Sequence, residues 1–217
     1  MLVIHGVTRS RASRIIWLCN EIGLPFRQVP VIQAYRLGDP DAPDAPLNTR
    51  SPAFLKLSPS GAIPVIEDDG FVLWESYAIV RYLLAKHAPN SQWFPADLQA
   101  RAIADKWMDW TTSSFAGPFR TVFWGVVRTP ADQQDWPAIN AAIKECAALL
   151  AMADQALASQ PYLSGREIGM GDIPLGSFIY AWFEMPIDRA AQPHLEAWYA
   201  RLKQRPAYQK AVMTALT

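Results

Sequence analysis

Glu75 and Ser76 stand side by side where an apolar run, Phe71 to Trp74, gives way to a helical pattern. The first N–H groups of a helix lack partners and carry partial positive charge, so an anionic group is welcome there. The Ser76 hydroxyl would receive a carboxylate and the Glu75 carboxylate an ammonium, which together suit the α-amino acid end of a small molecule. The same pair also reads as a plain helix cap. A second polar cluster lies near the chain start, where VTRSRASR, residues 7–14, packs three Arg, two Ser and a Thr between apolar stretches. Taken alone, it reads as a cap or as a nucleic-acid patch.

The elements that position these clusters follow from the pattern. Residues 2–5 read as a short buried strand, and residues 12–22 as a helix with Ile15, Leu18, Cys19 and Ile22 on one face and Gly23 as its stop. Residues 26–32 suit a second strand, followed by a surface excursion rich in Pro, Asp and Ala (GDPDAPDAP). IPVI (63–66) and FVLW (71–74) flank Glu67-Asp68-Asp69-Gly70, a hairpin signal. Pro64 has no N–H for a ladder and so demands an edge, a strand start or a cis bond. Residues 75–86 then turn helical.

HAPNSQWFP breaks that period, and the domain linker is placed at 83–95. Beyond about residue 96 every pattern is helical: one helix to about 115, a second segment after Pro118, and a start near Thr129, Pro130 and Asp132. From there Ile139, Ile143, Cys146, Leu150, Ala153 and Leu157 line one face. Further helices are expected over 172–185 and 193–203. The division is 1–82, mixed α and β, and 96–217, all helix.

Composition narrows the partners. Lysine plus arginine equals aspartate plus glutamate at 20 each, and apolar residues make up 51%. That balance excludes nucleic acid, an anionic membrane surface or disorder as the theme of the whole chain. Only three apolar residues stand between Met1 and His5, and no run nears the roughly 18 residues of a membrane span, so no signal peptide and no span are expected and the cytoplasm is the expected location. Cys19 and Cys146, far apart and without a metal-ligand spacing, read as buried reduced thiols; no metal is expected.

Ile63-Pro64, the hairpin, Glu75-Ser76 and the turn Ser58-Pro59-Ser60-Gly61 together resemble the glutathione transferase family. The resemblance extends to Trp93-Phe94-Pro95 and the helical second half. It implies a thioredoxin-like α/β N-terminal domain, an all-α C-terminal helical bundle, glutathione as cosubstrate, a homodimer, and transfer of the glutathione thiol to small hydrophobic electrophiles. Peroxidase, dehalogenase or isomerase work, or glutathione binding without turnover, fits the same scaffold. By the same resemblance, the Ile63 main chain pairs with the cysteinyl backbone ahead of a cis Pro64, and Glu75 and Ser76 hold the γ-glutamyl end. Arg50, or Asn48 as the alternative, reaches the glycyl carboxylate. Ala62 departs from the family pattern, where many relatives carry Lys, and leaves Arg50 more to do.

Ser10-Arg11-Ala12-Ser13-Arg14 is similar to the Ser-x-x-Ser-Arg of serine-type members in the theta and zeta classes, which assigns thiol activation to Ser10, with Thr8 and Ser13 as alternatives. A free thiol has a pKa of about 8.5, and lowering it by roughly two units takes about 2.7 kcal/mol. One charge-assisted hydrogen bond of about 1.5–3 kcal/mol, with about 0.3–1 from a helix N-terminus, suffices. Ser10 or Ser13 as a simple N-cap remains the competing reading, and Arg9 and Arg14 read as solvated or packing residues. In the second domain, KWMDWTTSSFAGPFRTVFW supplies candidates for an apolar acceptor pocket, of which Phe115 is retained. Asp172, after Gly169, reads as a structural helix cap.

Overall fold

The computed structural model describes residues 1–216 and divides into two compact units. The first comprises Met1–Ala88 with Lys210–Thr214, and the second is built on Pro89–Gln209. Within the span expected as linker, 83–95, residues 83–87 complete a helix, with Leu83 and Leu84 buried, and Trp93 is buried.

In the first unit β1 (Leu2–His5) is followed by α1 (Ala12–Glu21), β2 (Phe26–Val29), the short α2 (Pro52–Leu55), β3 (Val65–Asp68), β4 (Phe71–Trp74) and α3 (Ser76–His87). The sheet order is β2-β1-β3-β4. β1 runs parallel to β2 and antiparallel to β3, and β4 pairs antiparallel with β3. This is the thioredoxin-like arrangement. β1 lies inside the sheet and is buried at every position, whereas β2 and β4 form the edges. Asp69 and Gly70 close the hairpin at φ 50 and 90, as a two-residue turn requires. Pro64 directly precedes β3 across a cis bond from Ile63, so it withholds no donor from the ladder.

α1 buries more than the single expected face. All residues from Ala12 to Cys19 are buried, Ile16, Trp17, Ser13 and Arg14 included. Burial of so many apolar side chains, at about 25 cal/mol per Å², holds α1 in place more firmly than helix propensity could.

The second unit carries α4 (Leu98–Trp110), α5 (Ala116–Phe123), α6 (Trp136–Leu157), α7 (Asp172–Glu184), α8 (Pro193–Lys203) and α9 (Pro206–Ala211), whose last residues group with the first unit. Pro118 breaks nothing. The chain passes from α4 through a π-helical turn, Thr111–Phe115, directly into α5. The widened turn accommodates a ring that would clash with a regular α ladder. A second π turn, Trp124–Arg128, follows α5. α6 starts later than expected, at Trp136, because Asp135 accepts the Ala138 N–H as its cap; Ala131–Gln133 is only a 3-10 turn. Its buried face nonetheless contains Ile139, Cys146, Leu150, Ala153 and Leu157.

Asp172 is fully buried at the start of α7. It accepts from the amides of Leu163 (2.8 Å), Ser164 (3.2 Å) and Gly169 (3.0 Å) and from Trp198 Nε1 (2.8 Å). Burial raises its pKa, and these hydrogen bonds offset part of that rise. Gly169 stands where the capping box would have a hydroxyl because a Cβ there would lie 2.9 Å from Ser164 Cβ and 3.0 Å from the Gln92 carbonyl oxygen.

Candidate functional site

The site is built around the end of β1. Gly6 adopts φ 145, and a Cβ at that position would fall 2.8 Å from Ala12 Cβ and 3.5 Å from Ile63 Cβ. Only glycine lets the backbone pass so close to both, so this residue brings the Ser10 turn and the Ile63-Pro64 segment together. Val7 continues the contact, packing on the cluster of Val31, Phe54, Ile63 and Val65. With its side chain in that cluster, Ile63 offers a ligand its main chain. Among the described residues neither its N–H nor its C=O has a main-chain partner.

Ser10 sits half-buried one residue before the capping position of α1. Its Oγ donates to the Val7 carbonyl at 2.6 Å and accepts from the Ala12 N–H at 3.0 Å. The second of these is of the kind a helix cap makes, although the capping position itself, Arg11, makes no side-chain cap bond. Its hydroxyl proton is therefore already engaged in the free protein, so a bond to a thiolate must replace the one to the Val7 carbonyl. Ser13 is buried, its N–H bonded to the Ser10 carbonyl at 3.0 Å.

Ser76 is the first residue of α3 and is 5% exposed. Glu75 precedes it, exposed and held at φ 72, ψ 109, a conformation L-residues rarely adopt. Such backbone costs on the order of 1–3 kcal/mol and persists where the surroundings impose it, often at ligand sites. Here it aims the Glu75 side chain into solvent while the Glu75 carbonyl still accepts the first helical bond, from Ile79 N–H.

One participant escaped the sequence argument. Arg14 is buried, and its Nη1 donates to Ser76 Oγ at 2.9 Å. Its guanidinium lies over the Tyr77 ring, 4.6 Å from the centroid. The signal was present, since Arg14 falls one turn before Leu18 on the apolar stripe of α1.

Arg50 lies apart from this group. It is exposed and pairs with Asp41 at 2.5 Å. Its loop passes beside Gly61, whose Cβ position lies 3.1 Å from the Thr49 carbonyl oxygen. Asn48, the alternative, is buried and consumed by the excursion: Nδ2 donates to the Pro40 and Pro46 carbonyls at 2.8 and 3.0 Å, and Oδ1 accepts from Arg50 N–H. Phe115 is fully buried in the second unit, stacked on Trp110 and packed against Phe119 and Phe178. A ring enclosed in this way presents no surface to an acceptor, so its place is in the helical core.

Both cysteines are free and buried, and burial pushes each thiol up to about 12, Cys146 with a further contribution from Glu145. Among the described residues there is no group of three His, Cys, Asp or Glu side chains able to hold a metal, and no helix long and apolar enough to cross a membrane.

A thioredoxin-like unit whose cis-proline segment, opening turn and α3 start converge, followed by a helical unit, is the architecture of a glutathione transferase. Comparison with known proteins agrees. Residues 9–86 match the glutathione S-transferase N-terminal domain and residues 103–206 the C-terminal domain. The chain is 36% identical over 217 residues to the glutathione S-transferase GstB of Escherichia coli K12, covering 98% of each chain. It is 28% identical over 207 residues to human glutathione S-transferase theta-2, covering 89% of this chain and 76% of that one. Among solved structures it resembles the theta class glutathione S-transferase of the citrus canker pathogen Xanthomonas axonopodis pv. citri with glutathione bound, at 51% identity and TM-score 0.90, covering all of this chain and 99% of that one. The chain belongs to the glutathione S-transferase family. Its activity is conjugation of glutathione, the cosubstrate.

Proposed function

We propose that the chain transfers the glutathione thiolate to small hydrophobic electrophiles, using Ser10 to stabilise the thiolate. The Ile63 main chain pairs with the cysteinyl backbone ahead of Pro64, Glu75 and Ser76 hold the γ-glutamyl ammonium and carboxylate, and Arg50 takes the glycyl carboxylate. The observation that carries this reading is the close approach at Gly6, where an Ile63 main chain without partners borders the turn that bears Ser10. A strand-like peptide laid on Ile63 puts its cysteine next to that turn.

Two exchanges accompany binding. The Ser10 hydroxyl turns from the Val7 carbonyl to the sulfur, replacing a neutral bond by a charge-assisted one about twice as strong. Arg50 releases Asp41 for the glycyl carboxylate, and an exposed pair of that kind holds by only about 0–1 kcal/mol. The anion is then held by Ser10 and the start of α1 while the acceptor approaches; attack forms the carbon–sulfur bond and expels a leaving group, or adds across a polarised double bond. A homodimer is proposed through the β4 edge, where Phe71 (48%) and Trp74 (42%) are exposed large side chains on a strand paired only with β3. The cytoplasm, where thiols are kept reduced, is the proposed location.

Calorimetric titration with glutathione, followed by turnover with halogenated aromatics, epoxides, peroxides and unsaturated carbonyls, tests the proposal. Binding with conjugation of at least one of the carbon electrophiles is expected; absence of binding at millimolar glutathione refutes it. Turnover confined to peroxides would move the chain to peroxidase work on the same site.

A further inference from the structure

Arg14 is 4% exposed at a position where an apolar side chain of similar length would fill the space. Keeping a cation out of water is expensive unless its donors are used. Burial is the main influence on its proton affinity and lowers it, while Tyr77 and Glu75 oppose that effect, and a guanidinium stays charged throughout. What a cation supplies here and an apolar residue cannot is a fixed donor to Ser76, at 2.9 Å, braced by the Tyr77 ring.

A serine hydroxyl has one proton and two lone pairs. At Ser76 one lone pair is committed to Arg14, and among the described residues no acceptor takes the proton. Ser76 is thereby left as a donor at the N-terminus of α3, where the helix adds positive potential. We infer that Arg14 is a positioning residue for glutathione: it holds Ser76 in the donor state and lends positive potential to the spot, so that the site selects ligands bearing the α-carboxylate of the γ-glutamyl group. The inference rests on the proposed role of Ser76 and assigns it a cause 62 residues away in sequence.

Three tripeptides separate the possibilities: glutathione, its 4-aminobutyryl analogue lacking only that carboxylate, and its glutaryl analogue lacking only the ammonium. Affinities are read by calorimetry for the wild-type chain, Arg14→Met and Arg14→Lys. In Arg14→Met, binding of glutathione and the glutaryl analogue should weaken by roughly tenfold to a hundredfold, and binding of the 4-aminobutyryl analogue by less than about threefold. Arg14→Lys should restore part of the carboxylate preference. Equal weakening across all three ligands, or none, overturns the inference while leaving the Ser76 reading intact. A wild-type chain indifferent to the carboxylate overturns the Ser76 reading itself, and this inference with it. Should Arg14→Met fail to fold, Arg14→Lys, Ser76→Ala and their double variant decide the matter: non-additive losses in glutathione affinity support the coupling, and additive losses refute it.

Discussion

Ser10→Ala separates a thiol-activating hydroxyl from a helix cap, because the structure sets a magnitude for each. In the free protein the hydroxyl makes two bonds, to the Val7 carbonyl at 2.6 Å and from the Ala12 N–H at 3.0 Å. Donation to a thiolate yields about 1.5–3 kcal/mol and gives up a neutral bond of about 0.5–1.5, leaving a net preference for the anion of about 1–1.5 kcal/mol. That corresponds to roughly one pKa unit of the bound thiol. The full two-unit shift expected from an unengaged hydroxyl is not available to Ser10 alone, and the helix terminus must supply part of the remainder. In Ser10→Ala the thiolate absorbance of the glutathione complex should therefore titrate about one unit higher. The sign follows: conjugation should fall roughly tenfold at pH values below both midpoints and converge with wild type above them. Loss of the cap bond should separately cost about 1 kcal/mol, or about 2–4 °C in Tm. A lowered Tm with an unshifted titration would refute thiol activation by Ser10 and leave it a cap, moving the role to Thr8, Ser13 or a main-chain amide.

Asp172→Ala strands three amides and the Trp198 indole, each buried donor costing about 1–3 kcal/mol; the sum approaches the whole stability of a domain, so thermal denaturation should show a protein that folds poorly, and an unchanged Tm would contradict the capping role. Glu75→Gly should be more stable than Glu75→Ala by about 1 kcal/mol in denaturant melts, because glycine accepts φ 72 freely, while both lose glutathione affinity. Equal stability would mean that the backbone there is not strained. Cys19 and Cys146, with thiols pushed up to about 12 by burial, should not react with a chromogenic disulfide in the native protein at pH 7 and should both react in denaturant; rapid native labelling would show an opened core.

The local parts of the site were legible in the sequence. Pro64 declared its own backbone constraint, Asp69-Gly70 declared the hairpin, and Glu75-Ser76 marked the switch from a period of two to a helical one, because each depends on a residue and its near neighbours. The reach of Asp172 back to the Gly169 N–H was readable for the same reason, whereas its bonds to Leu163, Ser164 and Trp198 were not. Helix boundaries fared less well where two signals competed: Pro118 promised a break that a π turn absorbed, and Thr129 promised a cap that Asp135 supplied.

What the sequence could not contain was the choice of partner across long separations. Arg14 stands on the apolar stripe of α1, but only the packing of α1 beside α3 turns it toward Ser76. Arg50 and Asn48 are equally polar neighbours, yet the folded excursion consumes Asn48 and leaves Arg50 in an exposed, exchangeable pair. Phe115 belongs to an aromatic run that suits a pocket or a core equally well, and its neighbours Trp110, Phe119 and Phe178 enclose it. Backbone preference acts within a few residues, whereas exclusion of water depends on every element that packs above a side chain, so the sequence determined the local elements of the candidate site and the tertiary structure decided which of its side chains are buried and which stay exposed.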